Sequence, residues 1–149
     1  MEGKSFFTIA QKLAQMRNEP ALRSAISRAY YAAYNCCIQF LEVCGFQFEK
    51  DSPAHEKVYQ YLHNAGFADI EAAARALNIL RKRRNRADYN MTSTEFQDHI
   101  TCQGDLASAQ TVILLIEKYS HEPLRTKLRN GVREYVAKIS SSPSSSQAP

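Results

Sequence analysis

Glycine and cysteine are both scarce in this 149-residue chain, at five and four residues. There is no glycine-rich loop of the kind that cradles phosphate groups, and Gly131 stands alone inside a helical pattern. Cys36, Cys37, Cys44 and Cys102 show neither C-x-x-C spacing nor a disulfide framework. Reduced, mostly buried thiols in a cytoplasmic protein are therefore expected. No apolar run is long enough to cross a bilayer. The opening Met1-Glu2-Gly3-Lys4-Ser5 lacks the charged-then-apolar layout of a signal peptide. Alternating strand patterns and internal repeats are missing. Metal spacing is missing too: His55-Glu56 is followed by His63 eight residues after His55 rather than four, and His99 and His121 have no ligand-like neighbours. Neither a metal nor a cofactor is expected. No serine or cysteine has an obvious base beside it, although triads assemble in space rather than in sequence.

Helical periodicity is present throughout. Ser5 is placed to cap a first helix running to about Met16, with Phe6, Ile9, Leu13 and Met16 on one face. Asn18-Glu19-Pro20 breaks it, and the proline suits the first turn of a long second helix ending at Gly45. That helix has an apolar face of Leu22, Ile26, Ala29, Tyr30, Ala33, Cys37, Phe40, Leu41 and Cys44. A second, polar stripe carries Ser24, Ser27, Arg28, Tyr31 and Asn35. A loop over 46–51 leads to a third helix, opened by Ser52-Pro53 and closed near Asn64-Ala65-Gly66. The fourth runs from about Asp69 to Tyr89. Thr92-Ser93-Thr94-Glu95 has the capping-box pattern and opens a fifth helix to about Tyr119, with Phe96, Ile100, Leu106, Ile113, Leu114 and Ile116 on its apolar side. Pro123 seeds a sixth, with Leu124, Leu128, Val132, Val136 and Ile139 inward. The serine- and proline-rich segment 140–149 reads as a disordered tail. One all-α domain over 1–139, an antiparallel bundle of five to six helices with short connections, is the expected architecture.

The net charge of +4 is mild, but its distribution is not: Arg81, Lys82, Arg83, Arg84 and Arg86 fall within six residues at the end of the fourth helix. A solvated basic helix end, favoured by the macrodipole, accounts for such a run about as well as a phosphate site does. Arg84 is different in phase. The apolar residues Ile70, Ala73, Leu77, Leu80 and Ala87 define one face, and Arg84 lies on it. Burying an unpaired cation is costly, and Asp88 is one turn away. Arginine before the acid is the weaker orientation for a simple stabilising pair, which favours Asp88 as an orienting partner. The expected cluster joins Arg84, Asp88 and Tyr89, facing Arg28 or Tyr31.

Two segments carry a family resemblance. Ser24-Ala25-Ile26-Ser27-Arg28-Ala29-Tyr30-Tyr31-Ala32-Ala33-Tyr34 resembles the second-helix signature of HEPN domains. Leu80-Arg81 followed by Arg84-Asn85-Arg86-Ala87-Asp88-Tyr89 resembles their late-helix motif, in the branch ending Ala-Asp-Tyr. The order of the segments matches as well, with His55 opening the short third helix, and the resemblance spans roughly Ala21 to Leu115. It implies a helical bundle that forms homodimers through its long helices. It also implies metal-independent ribonuclease chemistry in bacterial toxin–antitoxin or antiphage defence, often beside a nucleotidyltransferase partner. Arg84 and Asn85 match the first two motif positions. Tyr89 stands where the family has its histidine, and no histidine follows Arg84 until His99. A tyrosine, with an unperturbed pKa of about 10, is a poor base at neutral pH unless nearby cations favour the phenolate.

Two functions follow. One is an RNA- or nucleotide-phosphate-binding protein of a defence system, with Arg84, Asn85, Asp88 and Tyr89 as candidate catalytic residues. Arg28, Tyr31, Arg81, Arg83 and Arg86 are its candidate phosphate ligands. The other is a non-catalytic helical dimerisation module in which Arg84 and Asp88 form a structural ion pair.

Overall fold

A computed structural model of the chain describes residues 2–49 and 52–141. Six helices follow one another: α1 (Lys4–Ala14), α2 (Glu19–Val43), α3 (Ser52–His63), α4 (Ala68–Tyr89), α5 (His99–Tyr119) and α6 (Leu124–Ser141). No strand occurs among the described residues. The central element is α2, which packs against α1, α4 and α5, while α3 packs on α4 and α6 closes over α3 and α5. No helix is long and apolar enough to cross a membrane among the described residues.

Local chemistry explains most of the boundaries. Asn18 caps α2 by accepting a hydrogen bond from the Ala21 amide, and Pro20 sits in the first turn, where its missing N–H costs nothing. Gly45 follows α2 at φ +98°, a left-handed conformation that glycine adopts without steric penalty. The expected apolar face of α2 is buried along its whole length. Gly131 is demanded by packing: a Cβ there would lie 2.1 Å from the Ala65 carbonyl oxygen, so only glycine lets α6 approach the end of α3 this closely. Cys37, Cys44 and Cys102 are buried and Cys36 half-buried, all as free thiols.

Several expectations fail in instructive ways. Ser5 lies inside α1, whose N-cap is Gly3, and makes no capping hydrogen bond. The face of α1 that meets α2 is built on Ala10 and Ala14, so Ile9 and Met16 stay exposed. Small residues win here because they let the two helices come together. In α5 the buried set is Cys102, Leu106, Ala109, Val112, Ile113, Ile116 and Tyr119, and Ile100 and Leu114 face solvent. Ile139 is likewise exposed at the end of α6. The capping-box tetrad does not open α5. Asp98 is the N-cap, accepting from the Ile100 amide at 2.9 Å. Glu95 is diverted to Arg83 and Arg86, two charge-assisted contacts that outweigh one capping bond. The stretch 140–149 begins as helix, since α6 continues through Ser141, and residues 142–149 lie outside the described residues.

Candidate functional site

One stripe of α2 builds the floor of the site. Arg23, Ser27, Tyr30 and Tyr34 recur at spacings of four, three and four, so they share a helix face, and all four are buried. Arg23 anchors the far end. Its guanidinium donates to the carbonyl oxygens of Arg86, Ala87, Asn90 and Ser93, and to Glu19, while lying 4.8 Å from the Phe96 ring centroid. These carbonyls lie at the C-terminus of α4 and in the turn after it, where helix-end acceptors lack intrahelical partners; those of Arg86 and Asn90 also accept from the Asn90 and Ser93 amides. An α2 side chain thus fixes the end of α4, and with it the position of Arg84 and Asp88.

Arg84 lies over Tyr30 of that stripe and over its neighbour Tyr31. Its guanidinium carbon is 5.4 Å from the Tyr30 ring centroid and 5.2 Å from that of Tyr31, within cation–π range of both. Its side chain is 11% exposed and Asp88 is 29% exposed. The Arg84 Nη1 to Asp88 Oδ2 distance is 3.8 Å, an ion-pair separation beyond hydrogen-bond reach. The Arg84 Nε is buried and has no hydrogen-bond partner. Asp88 turns instead toward α2, its Oδ2 accepting from the Ser27 hydroxyl at 3.2 Å.

His55, from the first turn of α3, completes the cluster. Its ring stacks on Tyr34 at 4.0 Å between centroids and 11° between planes, and its Nδ1 is hydrogen-bonded to the Tyr30 hydroxyl. Burial pushes the Tyr30 phenol above its ordinary range, and the opposing pull of Arg81 and Arg84 does not overcome it. Burial likewise lowers His55 to about 4, with Arg81 and Arg84 adding to the shift. At neutral pH the phenol therefore keeps its proton and the imidazole is neutral, the two sharing one hydrogen bond through Nδ1. Beside it, Arg81 Nη1 is 3.9 Å from Glu56 Oε2, again too far for a hydrogen bond.

The other cations go elsewhere. Arg83 points to α5, with Nε to Asp105 Oδ2 at 2.9 Å, Nη2 to the same oxygen at 2.6 Å, and Nη1 to Glu95 Oε2 at 2.8 Å. Arg86 Nε meets Glu95 Oε1 at 2.9 Å. Lys82 and Asn85 are exposed, and Tyr89 is 76% exposed. Arg28 is exposed, 5.8 Å from the Phe6 ring. The structure thus brings together Arg84, Asp88 and Tyr31, leaves Tyr89 and Arg28 outside their cluster, and turns Arg83 to the opposite face. On the polar stripe of α2, Ser27 donates to Asp88 and Asn35 donates to the Tyr31 carbonyl oxygen at 2.7 Å, while Ser24 and Arg28 are exposed.

His55, Tyr30 and Arg23 are the residues that sequence reasoning undervalued. The 4-3-4 spacing of Arg23, Ser27, Tyr30 and Tyr34 is the signal that marks their shared face. Chemically, the site offers two guanidiniums with no carboxylate inside hydrogen-bond distance of either, beside one neutral imidazole and an aromatic wall. Among the described residues no group of histidine, cysteine, aspartate and glutamate side chains is arranged to hold a metal. Comparison of the chain with protein-family models, with curated proteins and with solved structures gives no match.

Proposed function

We propose that this is a HEPN-like protein whose Arg84 site binds the phosphate of RNA or of a nucleotide. The observation that carries the reading is the state of Arg84: a nearly buried guanidinium within cation–π range of Tyr30 and Tyr31, with its one nearby carboxylate beyond hydrogen-bond distance. A structural ion pair at this depth closes to a hydrogen bond, because an incompletely compensated buried charge is costly. A phosphate oxygen supplies the missing acceptor, and Arg81 and Arg84 both act on the neutral His55 ring nearby. The arrangement is one of donors, so anion binding is its primary chemistry.

The setting that fits is the one the resemblance implies: a homodimer in a bacterial toxin–antitoxin or antiphage system, beside a nucleotidyltransferase, with metal-independent RNA cleavage as the activity to look for. A second reading, a non-catalytic interaction module, draws support from Glu56, Glu95, Asp88 and Asp105, which lie against four of the five clustered cations. Binding and cleavage of RNA by metal-free protein separate the two. Parent protein that binds RNA with an affinity falling steeply with salt, and loses it on Arg84→Ala, supports the phosphate site. Equal binding by the parent and Arg84→Ala leaves the interaction module. Cleavage that depends on Arg84 extends the phosphate reading to catalysis.

A further inference from the structure

At the opposite end of α2 from Arg23, a cleft opens between the last turns of α2 and α5, the first turn of α1 and the start of α6. It holds about 340 Å³, within the range of small-ligand sites. Phe40, Ile113 and Ile116, each buried, line it, and Val43, 74% exposed, lines it from the solvent side. Its charged groups are separated lengthwise. Burial raises the Cys36 and Cys44 thiols alike, but Cys36 also feels Lys4 and Glu117, whereas Cys44 feels Arg129, Arg125 and Arg133. Those two cysteines are roughly 12 Å apart along α2. At the Cys36 end, Glu117 is spent on Lys4 at 2.5 Å. Glu2, the other carboxylate on the lining, is exposed and acts on Lys4 as well.

The Cys44 end is different. Arg125, Arg129 and Arg133 recur every four residues on α6, so they form one row, and Arg125 starts it on the cleft lining. Arg125 gives its Nε to Glu122 at 3.0 Å, which leaves its Nη atoms. The Nε of Arg129 is buried with no hydrogen-bond partner, and neither Arg129 nor Arg133 has an acidic partner among the described residues.

We infer that this cleft binds a medium-chain aliphatic carboxylate: its chain lies along Phe40, Val43, Ile113 and Ile116, and its carboxylate meets the guanidiniums of Arg125 and Arg129. The inference stands apart from the Arg84 site and shares no residue with it. Guanidinium is the group that matches a carboxylate in two-pronged fashion. Each methylene buried against the apolar wall adds about fourfold in affinity, so the tail contributes as much as the head. An amphipathic cation suits the cleft poorly, since Glu117 already holds Lys4 and the open end is lined with arginine.

The test is isothermal titration calorimetry of the full chain with octanoate, octylamine and acetate, each in its monomeric range. Octanoate is expected to saturate the protein, octylamine to give no binding, and acetate to bind more than about a hundredfold more weakly than octanoate. Arg125→Gln and Arg129→Gln are each expected to weaken octanoate about tenfold. Lys127→Gln removes the same charge from another face of α6 and is expected to bind like the parent. Val43→Glu, at an exposed position outside the core, is expected to abolish binding by setting a carboxylate beside the ligand. Folded parent that shows no saturable octanoate binding overturns the inference. So does equal binding of octylamine, an equal loss in Lys127→Gln and Arg125→Gln, or Val43→Glu binding like the parent. Parent that binds phosphatidylserine vesicles but not octanoate also overturns it, and gives the arginine row to a membrane surface.

Discussion

Arg83 and Arg84 are neighbours in sequence and opposites in environment. Their side chains are similarly shielded, at 12% and 11% exposed. Arg83 is saturated: Asp105 takes it with two nitrogens, Glu95 with a third, and its guanidinium lies 5.2 Å from the Phe96 ring. Arg84 has two tyrosine rings and a carboxylate at 3.8 Å. The difference teaches that burial alone does not assign a role to an arginine. What distinguishes a tie between helices from a binding group is whether its donors are already spent. Arg83 binds α4 to α5, and Arg84 keeps donor capacity, its Nε unpartnered over the tyrosine rings of α2.

Unfolding measurements separate the two arginines. Arg83→Ala strands Asp105 and is expected to cost about 3–5 kcal/mol in urea unfolding, the effect of removing one partner of a buried pair. Asp105→Asn with Arg83 intact is expected to show a loss of the same order, and a negligible loss from either makes Arg83 no more structural than Arg84. Arg23→Ala frees the carbonyl oxygens at the end of α4 and is expected to cost about 2–4 kcal/mol. Its loss also loosens the turn at 90–93, which hydrogen exchange at those amides reports. Arg84→Ala removes contacts with Tyr30 and Tyr31 and an unclosed pair, and is expected to cost only about 1 kcal/mol. Asp88→Ala, at a partly exposed carboxylate 3.8 Å away, is expected to cost about the same.

The smallest effect concerns pH. The folded state holds His55 at about 4 against an ordinary 6.5, so between these values the unfolded chain binds more protons than the folded one. The contribution of His55 to stability is therefore full above pH 6.5 and is lost progressively as pH falls toward 4. His55→Gln is expected to flatten that part of the stability profile. An unchanged slope means that His55 titrates normally and is not enclosed as described.

Sequence periodicity located every helix, because each carries an apolar repeat or a proline, asparagine or glycine stop. It failed where backbone approach or a distant charge decided the outcome. The α1–α2 contact runs through Ala10 and Ala14, residues that a count of large apolar side chains passes over in favour of Ile9 and Met16. The capping-box pattern at Thr92–Glu95 is a local rule, overruled when Arg83 and Arg86 claim Glu95 from one turn of space away. Arg84 was legible because its phase put a charge on the packed face. The meeting of His55 with Tyr30 and Tyr34 was not, since it depends on how α3 lies over α2, which no local spacing encodes.

The central claim is that Arg84 is folded but unspent. Urea unfolding of the parent, Arg83→Ala and Arg84→Ala, each with and without inorganic phosphate at constant ionic strength, tests it most directly. Phosphate that binds only the folded state raises the midpoint of the parent. The account predicts that Arg84→Ala stays nearly as stable as the parent yet no longer responds to phosphate, while Arg83→Ala is strongly destabilised and still responds. A parent whose midpoint ignores phosphate, with Arg84→Ala losing as much stability as Arg83→Ala, would contradict it and make both arginines structural ties.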